Sequence, residues 1–169
     1  MEATTEHPGE AAFDAADAGI ALGGMAGSLG LLFKLAQLTA ADHHRAHFQR
    51  TGLSPSAYTI LRTIRGNPGL RQGHLAAVLR IKPALMTRLI RDFEDAGLVA
   101  RRIPDDDRRT VTLTLTPEGA ARLDRAAPHV TAAFAAEHHG LTAAEVARLQ
   151  QLLQKYCGVT QNGTLRLPG

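Results

Sequence analysis

The stretch RRIPDDDRRTVTLTLT, residues 101–116, contains five consecutive charged side chains. Asp105, Asp106 and Asp107 are followed directly by Arg108 and Arg109, and the residues on either side alternate between polar and apolar types. Alternation with a period of two is typical of β-strands, so the charges are predicted to lie at the tip of a small hairpin. A planar, weakly hydrated guanidinium at such a tip is suited to a strongly negative partner.

The charge distribution of the whole chain indicates the same kind of partner. The first 17 residues carry five acidic and no basic side chains, whereas residues 62–109 carry 11 basic and 6 acidic side chains, a net charge of +5. Such an uneven distribution, in a protein with a pI near 9.5, suggests a polyanion as partner. A cationic surface that only keeps the protein in solution is the alternative that composition leaves open.

A second group of reactive side chains lies in the histidine-rich stretch DHHRAH, residues 42–47. His43 and His47 are spaced i, i+4, so in a helix they would share one face and could bind a metal ion together. His138 and His139 could add ligands after folding. Further ligands for such an ion are not evident in the sequence, so no metal site is assigned.

Neither enzymatic chemistry nor a cofactor is predicted. The sequence shows no Ser or Cys nucleophile beside a base, no Gly-rich phosphate loop and no plausible carboxylate pair. Its single cysteine, Cys157, is expected to be an inert, partly buried thiol, typical of a reducing compartment. The acidic N-terminus does not resemble a signal peptide and no apolar run is long enough to span a membrane, so a cytoplasmic protein is predicted.

Apolar periodicity and helix-capping residues predict a mainly helical chain. A first helix should run from about residue 28 to Phe48 and stop at Gly52. Ser54 as N-cap and Pro55 at the first helical position should start a second helix, which GNPG ends. A short third helix is predicted over residues 72–79, and a fourth over residues 82–96, with Gly97 as its C-terminal stop.

The predicted fourth helix has two distinct faces. Helical spacing predicts an inward face, made of Met86, Leu89, Ile90, Phe93 and Gly97. The opposite face is then left with Lys82, Ala84, Leu85, Thr87, Arg88 and Arg91. The arms LVARRI and TVTLTLT should form the hairpin after this helix. The fold class is therefore mainly α with a small β-hairpin wing.

Two further helices are predicted after the hairpin. Thr116 and Pro117 should start the first of them, whose apolar stripe is Leu123, Ala127, Val130, Ala133 and Phe134. The segment GLTAAE should open the last helix, which continues through Leu149, Leu152 and Leu153. Apolar stripes at both ends of the chain, beside a lobe that can close its own core, favour burial against a second copy.

Three helices followed by a two-stranded wing are the arrangement of a winged helix-turn-helix, with the helix at 82–96 placed to enter a DNA major groove. The run from NPGLRQGHLAAVLRIKPALMTRLIRDFEDAGLVARRI to the wing resembles the DNA-binding lobe of the MarR family of bacterial transcriptional regulators. The family's motif of Asp, any residue, Arg, five residues and Leu-Thr is matched by Asp107, Arg109, Leu115 and Thr116, and Pro-Glu-Gly follows.

The resemblance implies a role for each charged group near the wing. Arg109 would be the wing arginine in the minor groove, Asp107 the partner that orients it, and Arg108 a neighbouring backbone contact. Asp105 and Asp106 exceed that need and fit a solvated turn. Arg101 and Arg102, at the base of the wing, are left open between a phosphate contact and a structural ion pair.

The outward face of the fourth helix would read the DNA itself. Lys82, Thr87 and Arg88 can reach base edges or phosphates, and Ala84 or Leu85 could meet a thymine methyl group. Arg91 lies a turn further on, so phosphate is its expected partner. Arg71, and less favourably His74, could touch backbone phosphates from the start of the preceding helix. A plain solvated helix surface is the alternative.

The resemblance also implies a homodimer that binds a pseudo-palindromic operator on double-stranded DNA and releases it on binding a small effector, often an aromatic acid. The candidate effector-binding residues are Phe33, His43, His44, His47, Phe48, Tyr58 and Arg62. Core packing of the aromatic residues with exposed histidines is the alternative. A zinc-responsive regulator, or a winged helix that binds protein instead of DNA, also remains open.

The predicted domain organisation follows from these elements. Residues 1–27 form a flexible acidic arm, and residues 28–52 and 117–157 form a helical dimerisation region. Residues 53–116 form the DNA-binding lobe, and residues 158–169 form a C-terminal tail.

Overall fold

A computed structural model describes residues 19–103, 110–133, 140–160 and 162–165, without the side chains of His43, Ala46 and Ala133. The chain divides into two compact units, the first ending at Leu38 and the second beginning at Thr39. The first unit holds a short 3-10 helix, Gly23–Met25, and the first part of helix α1, Leu29–Gln49. Several large apolar side chains of this unit are exposed: Ile20, Leu22, Met25, Leu29, Leu32, Phe33, Leu35 and Leu38.

The second unit contains the remaining secondary structure of the described residues. After the last part of α1, its elements are α2 Pro55–Gly66, β1 Leu70–Arg71, α3 Gln72–Val78, α4 Pro83–Asp95, β2 Val99–Arg102, β3 Thr112–Leu115, α5 Pro117–Ala133 and α6 Ala143–Tyr156. The predicted order of helices and hairpin is confirmed, and so is the fold class, mainly α with a small β-hairpin.

Local capping explains where two of these helices begin. Ser54 is the N-cap of α2, and its side chain accepts a hydrogen bond from the Ala57 N–H. Thr142 caps α6 in a reciprocal capping box with Glu145, in which each side chain binds the other residue's backbone N–H. Such boxes satisfy donors that the first helical turn leaves without an intrahelical partner.

The sheet is antiparallel and has the strand order β1-β3-β2. The predicted hairpin pairs Val99 with Leu115 and Arg102 with Thr112. Strand β1 was not predicted: it is two residues long, and only its pairing with β3, Leu70 with Leu113, makes it a strand. That pairing fixes the start of α3 against the first half of β3.

The core of the second unit lies between α2, α3, α4, the sheet and α5. Its buried members include Leu53, Ile60, Leu61, Ile64, Leu75, Ala76, Met86, Ile90, Phe93, Val99, Leu113, Leu123 and Ala126. The predicted inward face of α4 is confirmed for Met86, Ile90 and Phe93, which are buried, and Leu89 is partly buried. Gly97 is exposed, so its inward assignment is wrong: it follows the end of the helix, with φ +69°.

The beginning of α5 is packed tightly against the base of the hairpin. The Thr116 N–H donates to the Leu98 carbonyl at 3.1 Å, and the Thr116 hydroxyl donates to the Gly97 carbonyl at 2.7 Å. Gly119 lies so close that a Cβ there would collide with the Leu98 carbonyl oxygen. The glycine of Pro-Glu-Gly therefore permits this close packing.

No helix among the described residues is long and apolar enough to cross a membrane. Cys157 is exposed, so the expectation of a partly buried thiol is wrong. It is the C-cap of α6, beyond the last helical turn, where no other element covers it.

Candidate nucleic-acid interface and ligand cavity

The face of α4 opposite the core is exposed along its length. Its exposed members are all six residues predicted for it: Lys82, Ala84, Leu85, Thr87, Arg88 and Arg91. Lys82 is the N-cap, and Leu85 is 41% exposed although it is apolar. The face therefore offers cations and small apolar groups on a helix whose other side is anchored by buried Met86, Ile90 and Phe93.

Thr87 is held in place by two hydrogen bonds. Its hydroxyl donates to the Pro83 carbonyl at 3.0 Å and accepts from the Gln72 side-chain amide at 3.1 Å. The hydroxyl proton is thus already used within the protein. Gln72, at the first turn of α3, fixes the side chain of Thr87 on the exposed face. This role of Gln72 was not predicted from the sequence.

The base of the hairpin contains one structural ion pair. Arg101 donates to Glu94 at 3.2 Å, so it forms the ion pair that was one of its two predicted roles. Arg102 is exposed, as are Arg71 at the N-cap of α3 and His74 within it. The tip residues Asp107, Arg108 and Arg109, with Asp105 and Asp106, lie outside the described residues. Their roles therefore stay predictions.

A cavity of about 730 Å³ lies in the second unit, against α2 and α3. Its lining includes Tyr58, Arg62, Leu70, Leu75 and Val78, and a short C-terminal turn forms part of its wall through residues 162–165. The volume is in the usual range for small-molecule sites. Apolar side chains and the guanidinium of Arg62 together suit a ligand with a hydrophobic body and an anionic group.

The C-terminal turn is a defined structure. Val159 and Leu165 form an antiparallel bridge, and the Thr160 N–H donates to the Thr164 carbonyl at 2.9 Å. Gly163, with φ +73°, closes the turn and donates to the Thr160 carbonyl. These residues were predicted to lie in a C-terminal tail with no part in a site, because no periodicity in the sequence marks so short a bridge.

The structure brings together only part of the predicted effector set. Tyr58 and Arg62 line the cavity. His44 and Phe48 are buried and are not part of its lining; they continue a chain of rings from Tyr58, with Phe48–Tyr58 centroids 6.0 Å apart and His44–Phe48 centroids 6.2 Å apart. Packing thus accounts for Phe48, but the alternative of exposed histidines fails for His44. His47 is partly buried, and Phe33 is exposed in the first unit.

The possible metal site on DHHRAH has little to support it in the described part of the chain. No group of three or more His, Cys, Asp or Glu side chains is placed there to hold an ion. The side chain of His43 and both His138 and His139 lie outside that part.

Comparison with known proteins agrees with this arrangement. The family model described as MarR family matches residues 53–111. The HTH-type transcriptional repressor Rv2887 of Mycobacterium tuberculosis is 35% identical over 104 residues, which cover 62% of this chain and 75% of that protein. A putative transcriptional regulatory protein for the hcr operon of Thauera aromatica is 33% identical over 104 residues; the match covers 61% of this chain but only 63% of that relative.

A solved structure extends the similarity beyond the lobe. The transcriptional repressor CouR, bound to a 23-mer DNA duplex, has a TM-score of 0.73 at 26% identity, covering 82% of this chain and 99% of that chain. The winged helix-turn-helix fold and the matched sequence agree. The chain therefore belongs to the MarR family of transcriptional regulators.

Proposed function

We propose that the protein is a homodimeric, DNA-binding transcriptional repressor that places α4 in the major groove of an operator. The observation that carries the proposal is the exposed face of α4, on which Lys82, Arg88 and Arg91 lie opposite a buried apolar face. The similarity to CouR, solved on a DNA duplex, supports the same use of this fold.

The chemistry of that face suggests a division of roles. Arg88 is the candidate for a base contact, because a guanidinium can bind the O6 and N7 atoms of guanine together. Arg91, one turn further along the helix, and Arg71 are candidates for phosphate. The Thr87 hydroxyl already donates its proton to the Pro83 carbonyl, so the group of Thr87 left for DNA is its methyl group. This methyl group, Ala84 and Leu85 are candidates for apolar contacts with the methyl group of a thymine.

The charges around α4 favour a polyanion more strongly than the total net charge does. Residues 43–91 contain nine Lys or Arg residues and no Asp or Glu. Only Arg45 and Arg65 of these nine form an ion pair within the described residues. The segment therefore carries positive charge that DNA phosphates can neutralise, with release of bound counterions. By resemblance, Arg109 adds a minor-groove contact from the hairpin tip.

Dimerisation is proposed through the helices outside residues 53–116. Helix α6 exposes Leu149, Leu152, Leu153 and Tyr156 at i, i+3, i+4 and i+7, which is one continuous helical stripe. Helix α1 exposes its own apolar side chains, including Leu32 and Leu35. A two-fold partner would bury these stripes, and its symmetry would match a pseudo-palindromic operator.

The proposed effector is a small aromatic acid bound in the cavity of the second unit. Tyr58, Leu70, Leu75 and Val78 supply apolar walls, and Arg62 supplies a cation for the carboxylate. Release of DNA requires only that the acid bind a state unsuited to the operator more tightly, by a coupling of about 1 to 3 kcal/mol.

Fluorescence anisotropy with the DNA that flanks the protein's own gene tests this function. We expect tight binding that weakens steeply as salt rises, and weaker binding for Arg88→Ala and Arg109→Ala with the dimer intact. Benzoate or 4-hydroxybenzoate should release the DNA from the wild type but not from Arg62→Ala. Release of the DNA by Zn²⁺ alone would place the effector site at the histidine-rich stretch DHHRAH. Absence of DNA binding at low salt would refute the proposed function as a DNA-binding regulator.

A further inference from the structure

Three helices of the second unit end in the same backbone motif, and one of them has an unexpected residue in it. After α4, Gly97 donates to the Glu94 carbonyl at 2.9 Å and Leu98 to the Phe93 carbonyl at 2.8 Å. After α6, Gly158 and Val159 repeat the pattern at 3.2 and 2.8 Å. This is the Schellman ending, in which the residue after the cap is left-handed and is usually glycine.

Helix α3 ends in the same way with an arginine in the glycine position. Arg80 donates to the Ala77 carbonyl at 3.2 Å, and Ile81 donates to the Ala76 carbonyl at 2.9 Å. The φ of Arg80 is +52°, against +69° for Gly97 and +72° for Gly158. Within the described residues, Arg80 is the sole non-glycine residue with a positive φ.

A left-handed conformation destabilises the fold when the residue has a Cβ, and glycine would avoid that strain. Within the described part of the chain, no side-chain contact of Arg80 offsets this strain. Arg80 is exposed and makes no hydrogen bond or ion pair there through its side chain. The nearest acidic residues in the sequence are Asp42 and Asp92, so no neighbouring carboxylate along the chain explains the arginine.

The position of Arg80 suggests what the side chain is for. It lies in the turn between α3 and α4, two residues before Lys82, the N-cap of the helix proposed to enter the major groove. A phosphate near the start of α4 would meet Lys82, Arg80 and the positive end of the helix dipole. Strain at a site of this kind is commonly retained for function.

We infer that Arg80 is a DNA-backbone contact, held at the α3–α4 turn at the expense of stability. The inference rests on the proposed DNA binding and extends it to a residue outside the exposed face of α4. Since phosphate contacts carry no base information, Arg80 should raise affinity for operator and non-operator DNA alike.

Arg80→Gly tests the inference because it should change stability and affinity in opposite directions. The Tm should rise by about 2–4 °C as the strain is removed. Loss of one contact per subunit should reduce the slope of log K against log salt by about 1.8, which corresponds to roughly 60-fold weaker binding at 0.1 M salt. Operator and unrelated duplexes should lose affinity by the same factor.

Two controls make the result specific. Arg80→Lys keeps the charge and the Cβ, so it should keep the wild-type Tm and most of the salt slope. Arg148→Gln removes the same charge from the surface of α6, at an exposed position outside the apolar stripe proposed for dimerisation, so the dimer and its DNA affinity should be unchanged. An Arg80→Gly protein with a higher Tm and unchanged salt slope would make Arg80 a solvated turn residue and overturn the inference. A lower Tm would overturn the strain argument. If the wild type itself fails to bind DNA, the proposed function fails first, and the inference with it.

Discussion

Gly119→Ala should destabilise the protein, although alanine is the better helix former. A Cβ at this position would collide with the Leu98 carbonyl oxygen and lie 2.9–3.0 Å from the side chain of Leu115. Neither neighbour can move freely: the Leu98 carbonyl accepts the Thr116 N–H, and Leu115 is paired with Val99 in the sheet. The methyl group must therefore push α5 away from the base of the hairpin.

The magnitude follows from three contributions. Overpacking costs about 1–3 kcal/mol, and weakening of the Thr116–Leu98 hydrogen bond costs about 1 kcal/mol. The higher helix propensity of alanine returns about 0.5–1 kcal/mol. The net loss is about 2 kcal/mol, which corresponds to a Tm lower by about 4–8 °C for a chain of this size.

Gly73→Ala is the matched control. Gly73 lies within α3, where an added Cβ would meet no atom within 4 Å, so the same substitution should raise the Tm slightly. Circular dichroism during thermal and urea unfolding measures both variants. If Gly119→Ala is as stable as Gly73→Ala, the close packing of α5 against the hairpin base is wrong.

Three further predictions concern the interface, the dimer and the start of α6. Arg88→Ala should reduce discrimination between operator and mutated operator by about 1–3 kcal/mol, whereas Arg91→Ala should weaken binding to both duplexes equally. Competition anisotropy measures both effects, and two variants that behave alike would contradict these roles. Leu152→Glu should produce a monomer in sedimentation velocity and abolish tight operator binding, while an unchanged dimer would exclude the α6 stripe as the interface. Hydrogen bonds from the Thr142 backbone and side chain lower the pKa of Glu145 below its ordinary value of 4.5, so the stabilisation of α6 is present above about pH 4.5 and is lost as the pH falls through the lowered value. Glu145→Gln should remove that part of the acid-induced unfolding below about pH 4.5, and an identical pH profile for both proteins would contradict the capping box.

The sequence was most informative where local chemistry determines the structure. Ser54 and Pro55 mark the start of α2, and the period of the apolar residues identifies the buried face of α4. The capping box of α6 could also have been recognised, since Thr142 and Glu145 have the required S/T-x-x-E spacing. These signals lie within one or two helical turns, so they need no tertiary contact.

The features that the sequence did not predict depend on distant partners. Leu70 belongs to a strand because Leu113, 43 residues away, pairs with it. The cavity wall at residues 162–165 depends on where α6 ends relative to α2. His44 is buried against Phe48, but the polar stretch DHHRAH does not indicate which of its histidines is buried. Arg80 could be noticed only when its φ was compared with those of Gly97 and Gly158.

The two walls of the cavity suggest how a ligand could act on α4 without touching it. One wall includes Leu75 of α3, which is fully buried in the same core as Met86 and Ile90 of α4. Another part is the turn at residues 162–165, which lies a few residues beyond the end of α6 and is held by the Val159–Leu165 bridge. A ligand bound between them links the core beneath α4 to the end of α6. Because packed cores shift between discrete arrangements and do not deform smoothly, a small change at this link can alter where α4 lies relative to the proposed dimer helices.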